Sequence, residues 1–298
     1  MNKAMVPLQQ IEMSGKKTFS REMTRFVLFI FPIAYLAIIS AVIVHEVAGH
    51  GLVASLLGGK FTGFGILVDG MGWAFIDFST MGATGQVLVL LAGAFFTNLF
   101  AAVFFTLAIR FSEQCLTSMT FLVFAFAFLM DGVPYFFWDA IYAGGIGDIS
   151  NILKIYPSDW VRGITVVITG LFGLAGIFLF NWLFFKQAVS RFASKEPYRL
   201  RERIVIASVL FIIQVLGWVS FDWNQLIPVP ELGALPTLIP IALTFAVLFG
   251  ILLYQSKKRF EVPEVQPIRW KASILIPWCV CILLVSMVIL WFQNGVYF

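Results

Sequence analysis

The sequence predicts an all-α polytopic membrane protein, with about seven transmembrane helices and one small interfacial β-hairpin after the first span. Three observations carry that reading. Of 298 residues, 60% are hydrophobic and 12% are charged, about half the charged share of ordinary soluble domains. Apolar runs of about 20 residues recur along the chain, and six to eight such spans fit its length. The cations gather in the gaps between those runs.

Residues 1–25 form a polar, basic leader. The apolar run that follows is too long for the core of a signal peptide, so it reads as a retained span. Span one covers 26–57. Residues 60–79 then hold two short β-prone runs on either side of Asp69-Gly70, the pattern of a hairpin. Open strand edges do not face lipid, so the hairpin is expected at the interface or tucked into the bundle. Span two is 85–109 and span three 119–143. The latter contains Asp131-Gly132-Val133-Pro134, which predicts a break lining a protein cavity. A glycine-rich stretch leads into a short helix with Asp148 as its expected N-cap. Spans four to seven are 164–185, 204–221, 235–254 and 272–292. The basic linker 186–203 divides a four-span core, 26–185, from a three-span region, 204–298. No internal repeat is visible.

Loop charge orients the bundle. The leader, Arg110 and the stretches 186–203 and 257–271 hold 17 of the 20 Lys and Arg residues. The leader is therefore expected in the cytoplasm, in a multi-pass protein of the cell membrane. The net charge of +4 reflects cations flanking spans, and no nucleic-acid partner is expected. The cluster Arg199 to Arg203 reads as a topology signal in contact with anionic lipid. The 33 Phe residues read as lipid-facing and packing surface. Three cysteines without a CxxC pair indicate neither a disulfide framework nor a thiolate zinc site.

The chain has two histidines, and both lie in the first span, in His45-Glu46-Val47-Ala48-Gly49-His50. Ionisable groups inside a span carry a functional hypothesis by default, and neutral imidazole is a common zinc ligand. The zinc-hydrolase signature spaces its histidines at i and i+4; here the second comes at i+5. On a regular helix the pair would lie about 140° apart. A one-residue π-bulge would restore a shared face, with Gly49 as a site of easy distortion. Alternatively Glu46 and His50 are the ligands with His45 behind them, or the histidines are hydrogen-bonded without metal. A catalytic zinc takes three protein ligands and leaves one position open, so a carboxylate must complete the set. Asp131, Asp139 and Asp148 are the candidates. With Glu46 beside it, the logic is metal-assisted hydrolysis, in which the Glu takes a proton from water and passes it to the leaving amine.

The stretch from His45 through Leu56-Leu57-Gly58-Gly59 resembles the H-E-x-G-H-A-L…L-G-G region of the site-2 protease family of intramembrane zinc metalloproteases, with one extra residue. Leu91-Ala92-Gly93-Ala94-Phe95-Phe96-Thr97-Asn98-Leu99 is similar to that family's A-G-P-x-x-N-L motif, without the proline. Asp131-x-x-Pro134-x4-Asp139-Ala140 has the spacing of its N-x-x-P-x-x-x-x-D-G motif, and Asp148-Ile149-Ser150-Asn151-Ile152-Leu153 resembles the D-G-G-R-I-L that follows. The resemblance covers about half the chain. It implies one zinc per chain held by His45, His50 and Asp148, with Asp139 as the alternative third ligand and Glu46 as general base. It implies as client a membrane protein or peptide in the lipid bilayer, bound as an added strand at the hairpin edge and contacted by Asn98. The rival readings are a catalytically inactive scaffold or chaperone of the same type, suggested by the longer spacing, and a transporter. The transporter reading fits poorly with spans five to seven nearly free of charge. A di-iron oxidase needs more histidines than the chain has.

Overall fold

The computed structural model describes residues 8–142, 145, 147–192, 199–220, 242, 244–251 and 270–298. A single rod opens it: helix α1 (Leu8–Ile43) passes into a π-helix (Val44–Gly51) and then into α2 (Leu52–Leu56). Strands β1 (Lys60–Ile66) and β2 (Gly72–Asp77) follow, then α3 (Ala83–Arg110), α4 (Cys115–Tyr142), α5 (Asp148–Ile155), α6 (Asp159–Phe192), α7 (Arg199–Ser220), α8 (Trp270–Leu290) and strand β3 (Val296–Tyr297). Among the described residues, five helices are long and apolar enough to cross a membrane: Phe19–Leu56, Ala83–Arg110, Cys115–Ile141, Asp159–Val189 and Ser273–Asn294. The chain is an integral membrane protein of the predicted mostly helical class. The expected fifth span nearly coincides with α7. The expected sixth lies largely outside the described residues, of which 242 and 244–251 are helical.

Helix α4 is the centre of the bundle and packs against α1, α3 and α6. Phe26 and Ile30 of α1, Met119 and Leu122 of α4, and Phe184 and Phe185 of α6 form one buried cluster. Buried Ala92, Gly93, Ala94, Thr97 and Ala101 line the inner side of α3. Small residues let membrane helices approach closely. The outer side of α6 carries exposed Leu171, Phe172 and Phe178, the lipid-facing use expected of the Phe-rich spans. A buried amide pair ties α6 to α7: Gln214 Nε2 donates to Asn181 Oδ1 at 2.8 Å and Asn181 Nδ2 to Gln214 Oε1 at 3.3 Å. Asn181→Val leaves the Gln214 amide buried without that partner and is expected to lower stability by about 1 kcal/mol, within the range for interhelical hydrogen bonds in membranes. A thermal unfolding series in detergent measures it.

Three expectations change. The predicted break at Asp131-Gly132-Val133-Pro134 is absent, and α4 runs unbroken past Pro134. Proline removes one backbone hydrogen bond, a loss that packed neighbouring helices absorb in membranes. Gly132 serves a different purpose, since a Cβ there would lie 2.7 Å from Asn98 Nδ2 and 2.8 Å from Thr97 Oγ1 on α3. The expected hairpin is part of a three-stranded sheet of order β2-β1-β3. β1 and β2 pair antiparallel from Lys60↔Asp77 to Ile66↔Gly72, with a bulge at Phe61/Gly63. Gly70, at φ +92, supplies the left-handed residue of the connecting loop. β3 pairs with the other side of β1, and Val288 of α8 is buried with Ile39, Val42 and Ile66. The last segment thus packs on the first, which tucks the sheet into the bundle. α6 also continues through Lys186 to Phe192, into the stretch expected to be linker.

Candidate metal centre

The histidine segment is a π-helix over eight residues. Its i→i+5 hydrogen bonding puts residues five apart on one face, so His45 and His50 meet, with ring centroids 4.8 Å apart at 70°. The packing explains why the distortion sits here. A Cβ on Gly49 would lie 2.5 Å from Gly93 Cα and 2.8 Å from Gly93 N, and one on Gly51 would strike the Phe61 ring. Glycines let this turn press against the backbone of α3 and against β1.

Each imidazole has one nitrogen fixed. His50 Nδ1 lies 2.7 Å from the Val89 carbonyl oxygen. A carbonyl only accepts, so Nδ1 carries the proton and Nε2 offers its lone pair. His45 Nδ1 lies 2.8 Å from Asp131 Oδ2, an acceptor on α4 that sets the same tautomer. The two Nε2 atoms then face one oxygen, Asp148 Oδ2, at 3.3 Å each. Two nitrogen lone pairs and a carboxylate oxygen repel one another unless a cation lies between them. Tetrahedral zinc with bonds of about 2.0–2.1 Å holds its ligand atoms about 3.3–3.4 Å apart, which matches this spacing.

Asp148 is the first helical residue of α5, and the N-cap is Gly147. The expectation of Asp148 as cap is therefore replaced. The capping carboxylate belongs to Asp139, which accepts from Ser150 N at 2.9 Å and from the Ser150 hydroxyl. Asp148 is freed to point at the histidines, and its backbone N–H donates to the Tyr135 hydroxyl at 3.0 Å.

The ligand atoms of His45, Glu46 and His50 lie within 4.8 Å of one another, and all three residues are buried. These three can hold a metal ion. Asp148 Oδ2, at 3.3 Å from both nitrogens, fits the coordination edge of zinc more closely, and Glu46 stands beside it. Glu46 is also covered by the sheet: a Cβ on Gly72 of β2 would lie 3.1 Å from its Cγ. His45, Glu46, His50, Asp131, Tyr135 and Asp148 all border one cavity of about 600 Å³, which Trp73 and Met71 of the sheet side also line. Asn98 is not on the cavity wall. Its Nδ2 donates to Ala94 O at 2.7 Å within α3.

Two contributors escaped the sequence reading, and a third, Gly93, stood there only as part of a motif. The Val89 carbonyl has no side-chain signal at all. Tyr135 was one aromatic among many, although its spacing of four from Asp131 places both on one helical face. Gly93 matters because a Cβ there would collide with His45 Nε2 and come within 2.8 Å of His50 Cε1.

No curated protein and no solved structure matches the chain. The Peptidase M50B-like family matches residues 23–179, which run from the first span into α6 and contain every residue of the centre just described. That match covers more than half of the chain, and the chain belongs to this family of membrane metallopeptidases, the site-2 protease type.

Proposed function

We propose that the protein is a zinc-dependent intramembrane peptidase that hydrolyses a peptide bond of a membrane-embedded client. The observation that supports this most is the convergence of His45 Nε2, His50 Nε2 and Asp148 Oδ2 at 3.3 Å, with Glu46 on the same π-helical turn. These donors fit one zinc ion. When bound, zinc supplies Lewis acidity, lowering the pKa of its water towards about 7 and polarising a carbonyl. Glu46, buried beside the two histidines, takes the proton of the attacking water and delivers it to the leaving amine. Asp139 caps α5 in this reading, and Asp148 is the third ligand.

The client is read as an extended segment. Among the described residues β2 is an edge strand, and Gly72 at its start packs on Glu46, so a strand added along β2 runs past the general base. The unpaired edge supplies backbone hydrogen bonds that an unwound membrane helix otherwise lacks. The longer histidine spacing suggested an inactive scaffold on a regular helix, and the π-helix, which brings both rings to one face, supports the active reading. Loop charge supports a cytoplasmic leader in the cell membrane.

The test is zinc per chain in detergent-purified protein. Wild type is expected to hold about one zinc, as one set of three protein ligands with an open fourth position implies, and His50→Ala to lose most of it. A metal-free wild type with an intact fold sinks the reading.

A further inference from the structure

Asp131 has no place in the ligand set or in the proton transfer, yet it is a carboxylate inside a span. Such groups are retained for a purpose. Capping a helix break is excluded, because α4 is continuous through it. Its side chain is 20% exposed and borders the cavity, and its Oδ2 accepts from His45 Nδ1 at 2.8 Å. The neighbouring Gly132 brings α3 against this same turn, which leaves α4 little freedom to move. One turn further along, Tyr135 holds the backbone N–H of Asp148.

From this geometry we propose that Asp131 is the positioning residue of the centre: it fixes the tautomer and ring orientation of His45 and makes Nε2 a stronger donor to the metal. The proposal rests on the zinc reading above. The two histidines are then supported unequally. His50 leans on a neutral backbone carbonyl, which no substitution at residue 89 removes. His45 leans on a carboxylate, whose charge strengthens the hydrogen bond and raises ligand basicity. A single turn of α4 thereby holds two of the three ligands, His45 through Asp131 and Asp148 through Tyr135. Loss of a carboxylate behind a metal-bound histidine typically weakens metal affinity about 10- to 100-fold.

The experiment measures zinc affinity by chelator competition in the full-length detergent-purified protein. It is paired with the visible absorption of the cobalt(II)-loaded form, which reports ligand geometry. Asp131→Leu removes the acceptor, and near-isosteric Asp131→Asn keeps an acceptor oxygen without the charge. The expected result is a loss of zinc affinity of about 10- to 100-fold for Leu, a smaller loss for Asn, and a shifted cobalt band in both. The Asn variant guards against misfolding, since it retains shape and one hydrogen bond. Wild-type affinity and an unchanged cobalt band in both variants overturn the role of Asp131 and leave the zinc reading standing. Absence of metal binding in wild type overturns the zinc reading, and the role of Asp131 falls with it.

Discussion

Glu46→Gln is expected to lower peptide-bond cleavage by about 10²- to 10⁴-fold, the usual worth of a positioned general base, while zinc content stays near that of wild type. The two readouts separate two roles that the geometry allows for this carboxylate. If Glu46 were a ligand in place of Asp148, the amide would remove a charged donor and the metal would leave with the activity. If Glu46 is the base, the ligand set of His45, His50 and Asp148 is intact and only the proton transfer fails. Gln keeps the volume of the side chain beside Gly72, where a Cβ would already lie 3.1 Å from Glu46 Cγ, so the sheet has no reason to shift. Cleavage can be read without knowing the client. Membranes expressing wild type and variant are compared for new peptide termini by mass spectrometry. Termini that depend on the chain but persist in Glu46→Gln would refute the assignment.

The spans and the two histidines were legible in the sequence because they depend on local properties. Hydropathy located the described spans to within several residues: 85–109 against Ala83–Arg110, and 119–143 against Cys115–Ile141. The π-helix was legible for the same reason. One residue too many between two metal-ligand types has few local solutions, and a glycine stood within the stretch. The approach of Asp148 to the two histidines agrees with the glycine-rich stretch before it and with its motif. The features that escaped depend on which segments meet. Val296–Tyr297 is two residues long, too short for an alternating pattern to show, yet it pairs with β1 across the length of the chain. The Asp131-Gly132-x-Pro134 run looked like a break because proline and glycine weaken an isolated helix. In the bundle, Gly132 is a contact with α3 and the helix holds. The Val89 carbonyl became a histidine partner only through the crossing of α3 over the π-helix.

That crossing also carries the sharpest structural prediction. Gly93→Ala is expected to weaken zinc binding by at least about 10²-fold, beyond the usual effect of an outer partner, because the added methyl enters the space of the two imidazoles proposed as ligands. It would collide with His45 Nε2 and lie 2.8 Å from His50 Cε1. Neither ring can step aside easily, since His45 is tied to Asp131 and His50 to the Val89 carbonyl. Retreat of α3 is opposed as well: Gly49 sits against Gly93, and Gly132 sits against Thr97 and Asn98 one turn on. The strain must therefore appear as a displaced imidazole or an opened helix pair, and either one spreads the three donor atoms. Gly163→Ala is the matching control. It lies in helix α6 with nothing within 4 Å of the new methyl, so the same change there should be neutral or stabilising by about 0.5–1 kcal/mol. Chelator competition and thermal unfolding on both variants decide the matter. Unaltered zinc affinity in Gly93→Ala would mean that the metal is held somewhere other than between these two rings.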